Sequence, residues 1–269
     1  MNEGCTWIVD ADIKSYFDTI PRAELMTEVR KRISDGRVLR LIESYLNQGV
    51  MEGLEEWTPE AGTPQGAVIS PLLANIYLHP VDLVMDKAGY EMVRYADDLV
   101  ILCRSEAQAQ QALAELEREL RGRGLTLHPE KTRIVDATAP GGFDFLGYHF
   151  EQGQRWPREK SQRKLKDTVR QHTGRNSGVS LAVTIKKLNE VLRGWYEYFK
   201  HSRGWKFERV DGWTRMRLRS ILRKRRGGRG RGRGADHQRW TNAFFREQGL
   251  FEMRQAHKLA CQSLRRGQR

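Results

Sequence analysis

The chain has 269 residues, of which 39% are hydrophobic, and carries a formal net charge of +13. That length suits one large or two modest domains, no run approaches the ~20 apolar residues of a membrane span, and three scattered cysteines (Cys5, Cys103, Cys261) give neither a disulfide framework nor a zinc spacing. The charge is uneven: residues 1–150 hold 15 Lys+Arg and 24 Asp+Glu, residues 151–269 hold 32 and 10, so the halves carry −9 and +22. An acidic half joined to a strongly basic one suggests metal chemistry beside a polyanion site. The N-terminal stretch lacks the basic and apolar regions of a signal peptide, and a reducing, cytoplasmic setting is expected.

In chain order, Thr6 to Asp12 reads as a strand whose period of two puts Ile8, Asp10 and Asp12 on one face and Trp7, Val9 and Ala11 on the other. A turn leads through Tyr16-Phe17-Asp18 towards Pro21, which can open a helix. Leu25, Val29 and Ile33 recur at helical spacing. Val38, Leu41, Ile42, Tyr45 and Leu46 give a second helix ending at Gly49, and all these apolar positions read as core. Residues 50–61 are acidic and loop-like. Gly62-Thr63-Pro64-Gln65-Gly66 follows, a tightly turned stretch that either lets a polymer or nucleotide approach closely or is an ordinary loop before a helix. Leu72 to Lys87 is an apolar helix that Pro80 is expected to kink or end.

Val93 to Cys103 then reads as strand, tight turn, strand, with Asp97 and Asp98 at the tip. Two adjacent carboxylates repel, and a divalent metal is the simplest compensation; an exposed Asp-Asp turn is the bland alternative. Ala107 to Arg121 is an amphipathic helix with the stripe Leu113, Leu116 and Leu120, stopped by Gly122 and Gly124. Phe143 to Phe150 reads as one alternating strand. The order of elements suggests an α+β fold.

Beyond Arg155 the composition changes. Ser180 caps a helix to Lys200 with the stripe Leu181, Ile185, Leu188, Leu192, Trp195 and Phe199, and Lys186, Lys187 and Arg193 lie off it. Basic residues interleaved with aromatics suit backbone neutralisation and base stacking; a solvated face over core aromatics is the alternative. Arg223-Lys224-Arg225-Arg226 opens an Arg/Gly tract to Gly234, read as a flexible polycation contacting RNA. The expected domains are 1–154, 155–225, a linker at 226–234, and a basic helical segment at 235–269.

If the strand ending in Asp12 and the Asp97-Asp98 hairpin are neighbours, three carboxylates converge. That geometry suits two divalent ions ~3.5–4 Å apart in phosphoryl transfer, and magnesium suits the oxygen donors. At this point a resemblance is plain. Asp10-Ala-Asp-Ile-Lys-Ser-Tyr-Phe-Asp18, Gly62-Thr-Pro-Gln-Gly66, Ser70-Pro-Leu-Leu-Ala-Asn75, Tyr95-Ala-Asp-Asp98, Pro129-Glu-Lys-Thr132 and Phe145-Leu-Gly-Tyr148 resemble the ordered motifs of reverse transcriptases. The set is closest to the group II intron reverse transcriptase/maturases, and Leu192-Arg-Gly-Trp-Tyr-Glu-Tyr-Phe199 resembles their thumb, or maturase, region.

The resemblance implies a palm, an antiparallel sheet with helices on one face, followed by an α-helical thumb. It implies RNA-directed DNA polymerisation by two magnesium ions (manganese as a substitute), with deoxynucleoside triphosphates, an RNA template carrying a DNA primer, and group II intron RNA as partners. Asp12, Asp97 and Asp98 would be metal ligands, helped by the backbone carbonyl of Ile13. Phe17 would stack under the incoming sugar and exclude a 2′-hydroxyl. Gln65, Gly66 and Tyr95 would line the substrate pocket, Lys131 would donate a proton to pyrophosphate, and Phe145-Leu146-Gly147 would support the primer end. Asp10 and Asp18 read as structural. The family places a fingers region before the first aspartate strand, where only six residues precede Trp7. On this reading the chain is a truncated member or half of a split gene, a separate chain then supplying the fingers. An RNA-binding splicing cofactor without catalysis, or a remnant, is the alternative function.

Overall fold

The computed structural model describes residues 4–47, 50–52, 55–57, 62–63 and 68–267. The chain divides into two compact units, 1–146 with 151–153, and 147–150 with 154–269.

In the first unit β1 (Trp7–Asp12) leads into a short α1 (Tyr16–Thr19), α2 (Arg22–Arg30) and α3 (Gly36–Leu46). A hairpin of β2 (Val50–Glu52) and β3 (Glu55–Trp57) lies within the acidic stretch expected to be loop. Next come α4 (Ser70–Lys87), β4 (Glu91–Tyr95), β5 (Asp98–Cys103), α5 (Glu106–Arg121) and β6 (Arg133–Asp136). The main sheet has the order β4-β5-β1-β6 and is antiparallel at every pairing.

Alternation decides what each sheet face does. Val9 and Ala11 of the first strand, Ile13 just past it, and Leu99, Ile101 and Cys103 of the fifth join Leu25, Leu73, Tyr77, Met85 and Leu116 from the helices in one buried core. Asp10, Asp12 and Asp98 therefore lie on the opposite face, where Asp12 is paired in register with Asp98 and Asp10 with Val100. The helices that share this core, α1 to α5, pack on the Val9 and Ala11 face, in keeping with the α+β reading.

Three elements depart from the sequence reading. α4 runs unbroken through Pro80, because Tyr77, Leu78, Val81 and Met85 on both sides of the proline are buried against the sheet and α2. In α3, Ile42 and Leu46 are buried but Val38, Leu41 and Tyr45 are exposed. The helix carries two apolar stripes and only one faces this unit's core. The strand expected over 143–150 is two strands, β7 (Phe143–Phe145) and β8 (Tyr148–Glu151), because Leu146 (φ 47°) and Gly147 (φ 80°) adopt a left-handed backbone that extended chain cannot.

The second unit adds β9 (Gln154–Pro157) and the helices α6 (Glu159–His172), α7 (Leu181–Phe199), α8 (Gly204–Arg225), α9 (Ala235–Arg239), α10 (Asn242–Glu247) and α11 (Met253–Gly267). Ser180 caps α7 by accepting from the Val183 N–H at 3.3 Å. Leu165, Ile185, Leu188, Leu192, Phe207, Leu218, Phe245 and Met253 form its core. Buried polar groups tie these helices together. Asp211 on α8 accepts from the N–H groups of Met253 (3.2 Å) and Arg254 (2.9 Å) at the start of α11. Arg219 is 4% exposed, donating to the Trp240 carbonyl (2.8 Å) and to Asn242 Oδ1 (2.9 Å). The stretch read as a linker, 226–234, falls inside this unit. No helix among the described residues is long and apolar enough to cross a membrane.

Candidate active site

The acids meet because two strand ends coincide. Asp12 closes β1 and Asp98 opens β5, one opposite the other. Asp97 sits in the two-residue turn between β4 and β5, next to Ala96, which takes a positive φ of 56°. Left-handed alanine costs energy and persists only where its surroundings hold it. Here the holder is Arg94. Its guanidinium donates to both carboxylate oxygens of Asp82 (2.7 and 2.5 Å), to Asn75 Oδ1 (2.9 Å) and to the Ala96 carbonyl itself (2.9 Å). One arginine thus fastens the acid-bearing turn to α4. The sequence reading missed Arg94, Asp82 and Asn75; a positive charge directly before the Tyr-Ala-Asp-Asp run, on the helix-facing side of its strand, was the available signal.

A lysine crosses over to the acids from the other side. Lys131 Nζ donates to Asp12 Oδ2 at 2.8 Å. That hydrogen bond, then the Asp12 charge, and more weakly Asp97 and Asp98, raise its pKa above the ordinary lysine range. Its segment is fixed by the backbone: the His128 N–H donates to the Asp12 carbonyl at 2.7 Å and Ile13 bridges Leu127. Asp10 pairs with Arg133 at 3.1 Å; burial raises its pKa, and the Arg133 hydrogen bond opposes that. Asp18 is exposed on α1.

Four residues after Asp12 the chain enters α1. Tyr16 is buried with its hydroxyl on the Ala74 carbonyl at 2.5 Å, and burial pushes its pKa up. Phe17 is half-buried beside it, ring centroids 5.5 Å apart. Gly62 and Thr63 dock on the backbone of this turn: the Gly62 N–H donates to the Ile20 carbonyl (2.8 Å) and the Thr63 N–H to the Phe17 carbonyl (2.7 Å). Gly62 has φ +82°, and a Cβ there would stand 2.5 Å from the Phe17 oxygen. Only glycine fits. Gln65 and Gly66 lie outside the described residues. Tyr95, the strand partner of Asp98, is 67% exposed. Phe145 ends β7, and Leu146-Gly147 form the turn after it.

The donor set fits hard divalent cations. It is all carboxylate oxygen, and an ammonium is already drawn to where the fields of the three acids overlap. No three His, Cys, Asp or Glu side chains among the described residues cluster closely enough to hold one ion.

Of the expected RNA contacts, Lys186 and Lys187 are exposed on α7 and Lys224 and Arg226 at the end of α8. The others have partners within the unit. Arg193 lies 4.5 Å over the Phe251 ring. Arg225 donates to the Val179 carbonyl. Arg223 is tied to Asp236 (2.5 Å) and the Arg229 carbonyl (2.9 Å), which pins the start of the Arg/Gly tract.

Two family models match the chain: reverse transcriptase (RNA-dependent DNA polymerase) over residues 1–150, and the group II intron maturase-specific domain over residues 162–240. The chain belongs to the group II intron reverse transcriptase/maturase family. Protein YkfC of Escherichia coli K12 is 30% identical over 230 residues, covering 70% of this chain and 58% of that protein. The group II intron-encoded protein LtrA of Lactococcus lactis is 42% identical over 79 residues, covering 29% and 13%. The chain spans less than two thirds of the length of the curated relatives it matches. Among solved structures, apo telomerase from Candida tropicalis shares the fold with a TM-score of 0.50 at 13% identity, covering 80% of this chain and 46% of that one. The reverse transcriptase match overlaps the first unit, and the maturase match covers the stretch of the second that runs from α6 to α9.

Proposed function

We propose that the chain is an RNA-directed DNA polymerase that extends a DNA 3′ end along an RNA template, and that its basic half binds group II intron RNA. The observation that carries this reading is the in-register pair Asp12–Asp98, with Asp97 in the adjoining turn and a lysine ammonium 2.8 Å from Asp12. Asp12, Asp97, Asp98 and the Ile13 carbonyl are the groups that would hold two magnesium ions. The chemistry such a pair supplies is alignment and charge neutralisation of phosphate oxygens during in-line displacement. The protein's own part is positioning. Phe17 sits under the incoming sugar and excludes a 2′-hydroxyl, Tyr95 with Gln65 and Gly66 lines the nucleotide pocket, and Phe145-Leu146-Gly147 supports the primer end. Lys131 would donate its proton to the departing pyrophosphate.

Primer extension on an RNA template with deoxynucleoside triphosphates and Mg²⁺ tests the reading. Asp97→Asn is expected to lower the rate about 100-fold or more, ~3 kcal/mol of transition-state stabilisation. Absence of extension by the unaltered chain, or an unchanged rate in the variant, overturns it. A second reading, a non-catalytic splicing cofactor, is favoured by the maturase-domain match over 162–240 and the +22 charge. It predicts that Asp97→Asn leaves intron splicing intact while Lys186→Gln with Lys187→Gln weakens it.

A further inference from the structure

The second unit holds an aromatic–cationic cluster outside the acid site and apart from the basic residues singled out in the sequence. Trp205 and Lys206 stand in the first turn of α8 and Trp156 on β9. Lys206 Nζ lies 4.3 Å from the Trp205 ring centroid and 5.1 Å from that of Trp156, so the ammonium is held between two indoles. The Arg209 guanidinium, one turn on, lies 5.9 Å from the Trp205 ring. His149 on β8 extends the array, its ring 5.1 Å from Trp156.

Two features set this cluster apart from ordinary core packing. Trp205 is 47% exposed, although a tryptophan's large apolar area favours burial. Neither Lys206 nor Arg209 is paired with a carboxylate among the described residues. The causes that lower the Lys206 pKa are burial first and then the like charge of Arg209, with no acid to offset them. Some other cations of the same unit are neutralised: Arg215 and Arg246 on Glu252, and Arg223 on Asp236. A half-buried ammonium, an exposed guanidinium beside it and an exposed indole make a site that lacks an anion with a flat face. A nucleotide has both: the phosphate meets the cations and the base stacks on the ring.

We propose that Trp205, Lys206, Arg209 and Trp156 form a binding platform for single-stranded RNA, one base stacking on Trp205 with its flanking phosphates on Lys206 and Arg209. This deepens the RNA-binding half of the proposed function and rests on it. Within a duplex each internal base is stacked on both faces and only the terminal pairs offer one to an indole, so the platform favours unpaired RNA.

The test uses the full chain and a fluorescein-labelled oligoadenylate of twelve nucleotides, with a blunt RNA duplex of the same length as comparator, read by anisotropy. Trp205→Ala is expected to weaken oligoadenylate binding about 5- to 100-fold, the usual worth of one stacked base, and to leave duplex binding within twofold. Trp205→Phe keeps most of the affinity. Lys206→Gln flattens the plot of log affinity against log salt by about 0.7, one single-strand phosphate. Thermal unfolding of each variant checks that the unit remains folded. Oligoadenylate binding unchanged in a folded Trp205→Ala chain overturns the platform and leaves RNA binding elsewhere on the unit standing. Equal losses for oligoadenylate and duplex overturn its single-strand character. No binding of either RNA by the unaltered chain overturns the platform and the RNA-binding reading together, while primer extension reports separately on polymerisation.

Discussion

At Gly62 a single hydrogen separates a working backbone from a broken one. Any Cβ there meets the Phe17 carbonyl oxygen at 2.5 Å and the Asp18 Cα at 2.7 Å, and the φ of +82° already disfavours side chains. Gly62→Ala is expected to cost about 2–4 kcal/mol, measured as a lowered unfolding temperature of the full chain. Phe17 presents the opposite case. Its ring is half-buried and its backbone carbonyl carries the structural bond. Phe17→Ala should therefore keep the fold and admit ribonucleotides. The measurement is the ratio of ribonucleotide to deoxynucleotide incorporation, which rises at least tenfold if the ring excludes the 2′-hydroxyl.

At the scale of elements, the hairpin carrying Asp97 is held by Arg94 through four hydrogen bonds to α4 and to its own turn. Lysine cannot reproduce that planar fork. Arg94→Lys is expected to reduce extension about tenfold or more with little change in the KM for nucleotide, because it loosens an acid and leaves the pocket walls alone. In the second unit Asp211 joins α8 to α11. Burial pushes its carboxyl up to about 6, against an ordinary value of 3.8. Between those values the folded chain keeps a proton that the unfolded chain has lost, so the stability this proton adds below pH 4 disappears as the pH rises through 6. Chemical denaturation from pH 4 to 7 should show a decline, at most about 3 kcal/mol, that Asp211→Asn flattens.

The elements also show where the sequence was legible. Period-two alternation in β1 disclosed the face bearing Asp10 and Asp12, and the strand–turn–strand pattern over 93–103 put Asp97 and Asp98 at a tip, because both signals are local and the acids break an apolar pattern. The register that sets Asp12 opposite Asp98 is long-range, and no local pattern encodes it. Pro80 was read as a kink or an end, and that α4 continues past it is decided by what packs on either side. Arg94 and Arg219 stayed hidden because their partners lie far away in sequence, Asp82 and Asn75 for one, Trp240 and Asn242 for the other.

Across the whole molecule, the −9 and +22 halves give opposite expectations for salt. Binding of RNA by the basic unit releases counterions and weakens steeply as salt rises. Cation attraction by the acid face is screened as well, but over distances of about 8 Å at physiological ionic strength, where closely spaced carboxylates keep most of their effect. RNA affinity is accordingly expected to fall about 10- to 1,000-fold between 50 and 200 mM salt, with the magnesium concentration needed for half-maximal extension on a saturating primer–template moving far less. Comparable salt sensitivity of the two would mean that the acids and the basic surface do not act as separate electrostatic systems.

The seat of Phe17 has a further consequence. The hydrogen bonds that fasten Gly62 and Thr63 to the turn around α1 run between main-chain atoms, and Arg22 adds its bond to the Gly62 carbonyl at 3.0 Å. These bonds do not depend on which side chain occupies position 17. On the role proposed for Phe17, selectivity between sugars is retuned by exchanging that one residue, as a lens is changed in a fixed mount, whereas adding or deleting a residue between Asp12 and Arg22 shifts the mount itself.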